Sequence, residues 1–195
     1  MGRYDAFSKK NRRLTGYDYR MEGLYFITIC TQDRCPFFGE VKNGIMELSD
    51  EGTIAHEYWL EIEQHWPRVF LGEFVIMPNH VHGIIGLEGE DNLKTKALSL
   101  IDGDSALQCK AATGLYNGKN ESMANLSPKA GSLSRIIGSY KAACTKMIRG
   151  VSTMPFGWQA RYHDRIIRNQ RELVHIEQYI LSNPTKWQED KFYQP

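Results

Sequence analysis

Phe70-Leu71-Gly72-Glu73-Phe74-Val75-Ile76-Met77-Pro78-Asn79-His80-Val81-His82-Gly83-Ile84-Ile85-Gly86-Leu87 holds two runs of β-branched and aromatic residues parted by Pro78-Asn79. Such runs, interrupted by residues that favour turns, read as a hairpin of strands over 70–77 and 81–87. Side chains alternate faces along a strand, so His80 and His82 point the same way. At about 3.3 Å per residue they stand roughly 7 Å apart at the backbone, near enough for both imidazoles to converge on one metal ion. Neutral imidazole suits several divalent metals, but His-x-His is only part of a site. Two histidines at a hairpin serve equally as polar edge residues, so chemistry requires a third ligand and a nucleophile.

Working upstream, residues 24–31 form a buried strand by composition, and 44–48 a short one after the Asn43-Gly44 turn. Ser49 or Asp50 caps a helix predicted to run to about Trp66, where Pro67 ends it; Ile54, Tyr58, Trp59 and Ile62 recur at helical spacing. Downstream, the hydrophobic period vanishes over 88–130, which is rich in Gly, Ser, Asn, Asp and Lys and reads as a flexible insertion within a single domain spanning 1–195. Periodicity returns at Leu133, Ile136, Ile137, Tyr140, Cys144, Met147 and Ile148, a helix stopped by Gly150. Residues 158–168 have β-forming character, and Asn169 with Glu172 looks like a capping box opening a last helix over 170–182, terminated by Pro184. This order predicts an α+β fold with an antiparallel sheet and helices largely on one face.

That last helix carries Tyr179 and Asn183, four apart and therefore on one face. Leu173, Ile176 and Ile180 make its apolar stripe, and Tyr179 sits at the edge, where a ring rests on the core while its hydroxyl reaches a cleft. Asn183 offers a carbonyl oxygen to a metal. A routine core tyrosine and a helix C-cap asparagine explain the same residues, and spacing alone does not choose. Tyr140, at the middle of its own apolar face, is assigned to packing, as is Cys144.

The formal net charge is +1, but residues 129–195 carry 11 Lys and Arg against 5 Asp and Glu, and Lys9, Lys10, Arg12 and Arg13 form a basic arm within 1–20. This distribution is compatible with phosphate binding and equally with a solvated surface. No run of eighteen apolar residues occurs, the N-terminus lacks a signal-peptide core, and Cys30, Cys35, Cys109 and Cys144 form no Cys-x-x-Cys pair. The expectation is a cytoplasmic protein with free thiols and no membrane partner.

His80-Val81-His82 resembles the signature of HUH nucleases. Trp158-Gln159-Ala160-Arg161-Tyr162-His163-Asp164, through Ile167-Arg168-Asn169, to Tyr179-Ile180-Leu181-Ser182-Asn183-Pro184-Thr185-Lys186-Trp187 is similar to the REP-associated tyrosine transposases, and 12–31 to the start of one subgroup. The resemblance covers nearly the whole chain except the insertion. It implies a ferredoxin-like HUH fold with a C-terminal catalytic helix. It further implies that His80 and His82 bind Mg²⁺ or Mn²⁺, with Asn183 where the family places a third ligand, although related insertion-sequence transposases often have Gln there. Tyr179 is then the nucleophile of a transposase that cuts and rejoins single-stranded DNA through a 5′-phosphotyrosine. The substrates it implies are imperfect-palindrome hairpins with a short flanking guide. Some relatives exchange the tyrosine helix between two subunits, so a homodimer and a monomer both stay open. Candidate DNA contacts are Lys9, Lys10, Arg12, Arg13, Arg161, Arg165 and Arg168, with Trp158 or Tyr162 available for stacking. A DNA-binding module without cleavage and a metal-dependent phosphoesterase acting through water remain the alternatives.

Overall fold

The computed structural model describes residues 18–89 and 131–193. The basic arm, Cys109 and nearly all of the 88–130 insertion lie outside the described residues. The hairpin forms as predicted: β4 (Val69–Met77) pairs antiparallel with β5 (His80–Leu87), with Met77 opposite His80 and Val75 opposite His82. β1 (Gly23–Cys30) lies on the other side of β5, with Cys30 opposite His80 and Thr28 opposite His82, and β6 (His163–Ile167) closes that edge. The order is β4-β5-β1-β6, so the histidine strand is internal and buried along its whole length.

Alternation divides the sheet's contacts cleanly. Tyr25, Ile27, Ile29, Val81 and Ile85 face the main core. There they meet α1 (Asp50–Leu60), α2 (Ile62–His65) and α3 (Leu133–Val151), the last presenting Ile136, Ile137, Tyr140, Cys144 and Ile148. The opposite face carries His80, His82 and Ile84 and is covered by α4 (Gln170–Ser182) through Ile176 and Ile180, then by the 3₁₀ turn Pro184–Glu189. Among the described residues three helices therefore lie on one face, and the tyrosine helix alone on the other. Tyr140 is buried, as its stripe position predicts, and its hydroxyl donates to the Ala55 carbonyl at 3.0 Å.

Local signals account for most boundaries. Ser49 Oγ accepts from Gly52 N at 3.0 Å and starts α1, although the predicted continuous helix breaks at Glu61 into α1 and α2. Asn169 Oδ1 accepts from Glu172 N at 2.9 Å, while the Glu172 carboxylate reaches back to Arg168 N at 2.9 Å, one residue earlier than the usual capping box. Asn43 and Gly44 both adopt positive φ, the geometry an Asn-Gly hairpin turn demands. That turn joins β3 (Ile45–Leu48) to β2 (Gly39–Lys42), a strand the sequence pattern does not announce. Of the β-forming 158–168 stretch only His163–Ile167 pairs as strand, with a single bridge from Trp158 to Thr31.

Gly83, beside the histidines, faces the indole of Trp59: a Cβ there would stand 2.3 Å from Trp59 Cζ2 and 3.0 Å from Phe74 Cβ. Trp59 is fully buried and cannot yield. Gly83→Ala is therefore expected to destabilise the protein by about 1–3 kcal/mol through overpacking, read as a lowered urea midpoint.

Candidate active site

The turn Pro78-Asn79 delivers His80 into the interior, and Asn79 governs its tautomer. Asn79 Nδ2 donates to the Phe192 carbonyl at 2.8 Å, which leaves Asn79 Oδ1 as the acceptor facing His80 Nδ1 at 2.9 Å. Because that oxygen only accepts, Nδ1 carries the proton and Nε2 the lone pair. His80 Nε2 is buried with no hydrogen-bond partner. His82 is oriented from β1, its Nδ1 lying 2.8 Å from Thr28 Oγ1, a hydroxyl that can donate or accept. Its Nε2 lies 3.2 Å from the Tyr179 hydroxyl.

Tyr179 reaches this point from α4, anchored one residue on by fully buried Ile180. Its ring meets Phe26 edge-on and the His82 ring at 5.2 Å. Its hydroxyl donates to Asp190 Oδ2 at 3.1 Å, and Asn183 Nδ2 donates to the same oxygen at 3.1 Å. The other carboxylate oxygen accepts from Phe192 N at 2.7 Å. The Phe192 ring then covers His80 at 4.6 Å between centroids. Asn183 caps α4 in right-handed rather than left-handed geometry, and its Oδ1 is buried without a partner.

A histidine nitrogen from each of His80 and His82 and a carboxylate oxygen of Asp190 lie within 4.8 Å of one another. Two lone-pair atoms, His80 Nε2 and Asn183 Oδ1, are orphaned beside them. Each such buried atom costs about 1–3 kcal/mol when left unsatisfied. Two neutral imidazoles, one carboxylate and an amide oxygen make a donor set that fits a divalent cation. The sequence offers Asn183 as a third ligand; the structure adds an Asp190 carboxylate oxygen beside the histidine pair, hydrogen-bonded by Asn183 Nδ2. Asp190 carries no signal in the sequence because it follows the helix in an irregular segment, with no period to assign it a face.

The other candidates sit apart from this cluster. Arg161 and Arg168 are exposed, and Arg165 gives its Nε to the Glu172 carboxylate at 2.7 Å. Trp158 packs against Phe38, Phe156 and Tyr140, with its indole N–H donating to the Lys141 carbonyl at 3.2 Å, so its ring is engaged in the core. Lys9, Lys10, Arg12 and Arg13 fall outside the described residues. Cys30, Cys35 and Cys144 are free thiols, and Cys144 is fully buried on α3.

Burial is the main influence on the site's protonation. It pushes His80 well below the usual imidazole range, helped by neighbouring His82, Lys191 and Arg34. It lowers His82 to about 3, against the opposing charge of Asp190. Burial and then the Asp190 charge raise the Tyr179 phenol above its ordinary value. At neutral pH the arrangement is two neutral imidazoles and a protonated phenol.

This architecture is shared with a solved structure of a REP-associated tyrosine transposase bound to a REP hairpin. The two align over 92% of this chain and 76% of that one, with a TM-score of 0.54 and 18% identity. The fold is thus the REP-associated tyrosine transposase fold. A candidate transposase from Deinococcus radiodurans aligns over 87% of this chain and 95% of its own, at 12% identity and a TM-score of 0.41. No family model matches the sequence. A Haemophilus influenzae protein, described as uncharacterized, is 34% identical over 185 residues, covering 95% of this chain and 93% of that protein. The chain belongs to that protein's family. No helix among the described residues is long and apolar enough to cross a membrane.

Two outcomes are expected of the site itself. In the unfolded chain both histidines protonate below about pH 6.5, whereas the fold keeps them neutral. The unfolded state then binds more protons, so stability is full above about pH 6.5 and falls as pH drops toward the value of about 3 that His82 reaches. Metal-free protein unfolded in urea should lose up to about 1.4 kcal/mol per pH unit for each such histidine, and His82→Gln should show a shallower decline. Separately, Mn²⁺ should raise the thermal midpoint by mass action. His80→Ala should abolish that rise, and Asp190→Asn should weaken Mn²⁺ binding about tenfold or more in calorimetry, because ligand charge sets affinity for hard cations.

Proposed function

We propose that this chain is a transposase-type enzyme that cuts and rejoins single-stranded DNA, with Tyr179 as nucleophile and His80, His82 and Asp190, assisted by Asn183, holding Mg²⁺ or Mn²⁺. The observation carrying this reading is the Tyr179 hydroxyl, 3.2 Å from His82 Nε2 and hydrogen-bonded to Asp190 within a single chain. The architecture it shares with a transposase that binds a REP hairpin supports hairpin-forming repeats as the substrate class. That the tyrosine meets the histidines of its own chain supports action in cis, without an exchanged helix. Residues 1–195 then act as one domain, with the 1–20 arm and the 88–130 insertion as accessories.

When bound, the ion supplies Lewis-acid polarisation of the scissile phosphate. The protein does the rest. Asn79 turns the His80 lone pair inward and Thr28 orients the His82 ring, while burial keeps both histidines neutral. Phe26 and Phe192 exclude water from the rings. Asp190 accepts the phenol's hydrogen bond and is placed to take its proton as Tyr179 Oη attacks phosphorus. The phosphorus–O3′ bond breaks, the 3′ oxygen is protonated, and a 5′-phosphotyrosine remains. This linkage conserves the phosphodiester's energy, so a 3′-hydroxyl attacking it restores a DNA bond and frees the phenol. A phenol held above its ordinary pKa is a poor nucleophile until the proton is taken, which gives the carboxylate beside it a purpose.

The test is incubation of the protein and Mn²⁺ with labelled hairpin oligonucleotides carrying single-stranded flanks, resolved on denaturing gels. A covalent adduct is expected, lost by on the order of a thousandfold or more in Tyr179→Phe and retained in Tyr140→Phe. Free cleavage products persisting in Tyr179→Phe would identify a phosphoesterase acting through water. Binding without cutting would identify a DNA-binding module.

A further inference from the structure

Arg34 and Lys191, 157 positions apart, meet over one aromatic ring. Arg34 Cζ lies 5.1 Å and Lys191 Nζ 4.7 Å from the Phe192 centroid, and an Arg34 guanidinium N–H donates to the Lys191 carbonyl at 3.2 Å. Phe192 is the ring that covers His80 at 4.6 Å and lies 5.8 Å from His82. Two positive groups thus stand a single ring away from the histidine pair.

Among the described residues neither Arg34 nor Lys191 forms an ion pair with a carboxylate. Asp190, the sequence neighbour, turns its oxygens inward to Tyr179, Asn183 and Phe192 N. Gathering two like charges around one ring is unfavourable, and cation–π attraction to that ring offsets it only in part. The backbone that aims Arg34 is itself strained: Asp33 and Arg34, neither of them glycine, take successive positive φ values of 53° and 57°. Non-glycine residues in that region are disfavoured, and such strain gathers at functional sites. A cation pair with no ion pair to a carboxylate among the described residues, held by a strained loop one ring from the histidines, is the arrangement an anion would complete.

The geometry points to Arg34 and Lys191 as a phosphate-binding pair that holds a backbone phosphate of single-stranded DNA beside Tyr179. It rests on the DNA-cleaving reading above and adds the residues that seat the strand. The guanidinium presents a planar fork to phosphate oxygens and the ammonium a point charge, so the two complement one another on a single anion. Arg34 also forms part of the wall of a cleft of about 620 Å³ between the β2–β3 hairpin and the Pro184–Glu189 turn, space for an extended strand to leave the pair.

The test uses the full chain bearing Tyr179→Phe, so that binding is read without covalent capture. Fluorescence anisotropy with a labelled unpaired oligodeoxynucleotide is followed across salt concentrations. Adding Arg34→Ala with Lys191→Ala should weaken binding on the order of tenfold and make the salt slope shallower by about 0.7, one phosphate's share on a single strand. Alanine at position 34 meets the same left-handed backbone demand as arginine. Arg34→Gln with Lys191→Gln repeats the measurement with bulk retained, so a folding defect in the alanine form does not decide the result. Arg34→Lys should restore most of the slope. A slope and affinity unchanged in the double variants would overturn the pair, as would a parent chain that does not bind the oligonucleotide. The adduct assay on the Tyr179 chain separates the two readings. Adduct formation with an unchanged slope removes the pair and leaves the enzyme, whereas a shallower slope without any adduct keeps the pair and removes the tyrosine chemistry.

Discussion

Two imidazoles lie fully buried on an internal strand, and the rest of the site follows from how their Nδ1 atoms are used. Asn79 takes one and Thr28 faces the other, each from a neighbouring piece of the sheet. With that side of each ring occupied, the remaining nitrogens turn toward α4 and the C-terminal turn. A buried imidazole left to rotate would satisfy itself elsewhere, and the tyrosine helix would then cover an ordinary apolar face. Neutrality is part of the same constraint, since desolvation leaves no room for a protonated ring.

The second layer is the short segment after α4. Trp187 and Phe192 join Cys30 and Met77 in a small core, which ties the chain end to the tips of β1 and β4. That packing is what brings Asp190 back beneath Tyr179, eleven positions along the chain. The carboxylate accepts three hydrogen bonds, from the phenol, the Asn183 amide and the Phe192 amide, so its orientation is fixed by the protein before any ligand arrives.

The strongest periods translated most directly into structure. The 70–87 hairpin, the stripe from Leu133 to Ile148 and the face shared by Tyr179 and Asn183 were legible because each is a local repeat matched to its element. What escaped depends on distant pairing. Gly39–Lys42 has a single strong strand former and becomes a strand only through β3. Asp190 and the Arg34–Lys191 meeting belong to irregular backbone, where spacing says nothing about direction. Trp158 depends on distant packing too. An aromatic residue near basic ones suggests a stacking platform, but whether its ring faces water is decided by Phe38 and Phe156, which no local pattern places beside it.

The bulge between Leu71 and Phe74 on β4 bears on how the sheet ends. It disrupts the regular spacing of an outer strand, and the Glu63 carboxylate accepts from the Leu71 amide at the same place. At the far side β6 is only five residues long and turns His163 and Arg165 to solvent. Interrupted ladders, short outer strands and outward charge all discourage a foreign strand from docking. Neither margin is an inviting template, so growth by edge-to-edge addition, the route by which β-rich proteins aggregate, is obstructed at both limits of this sheet.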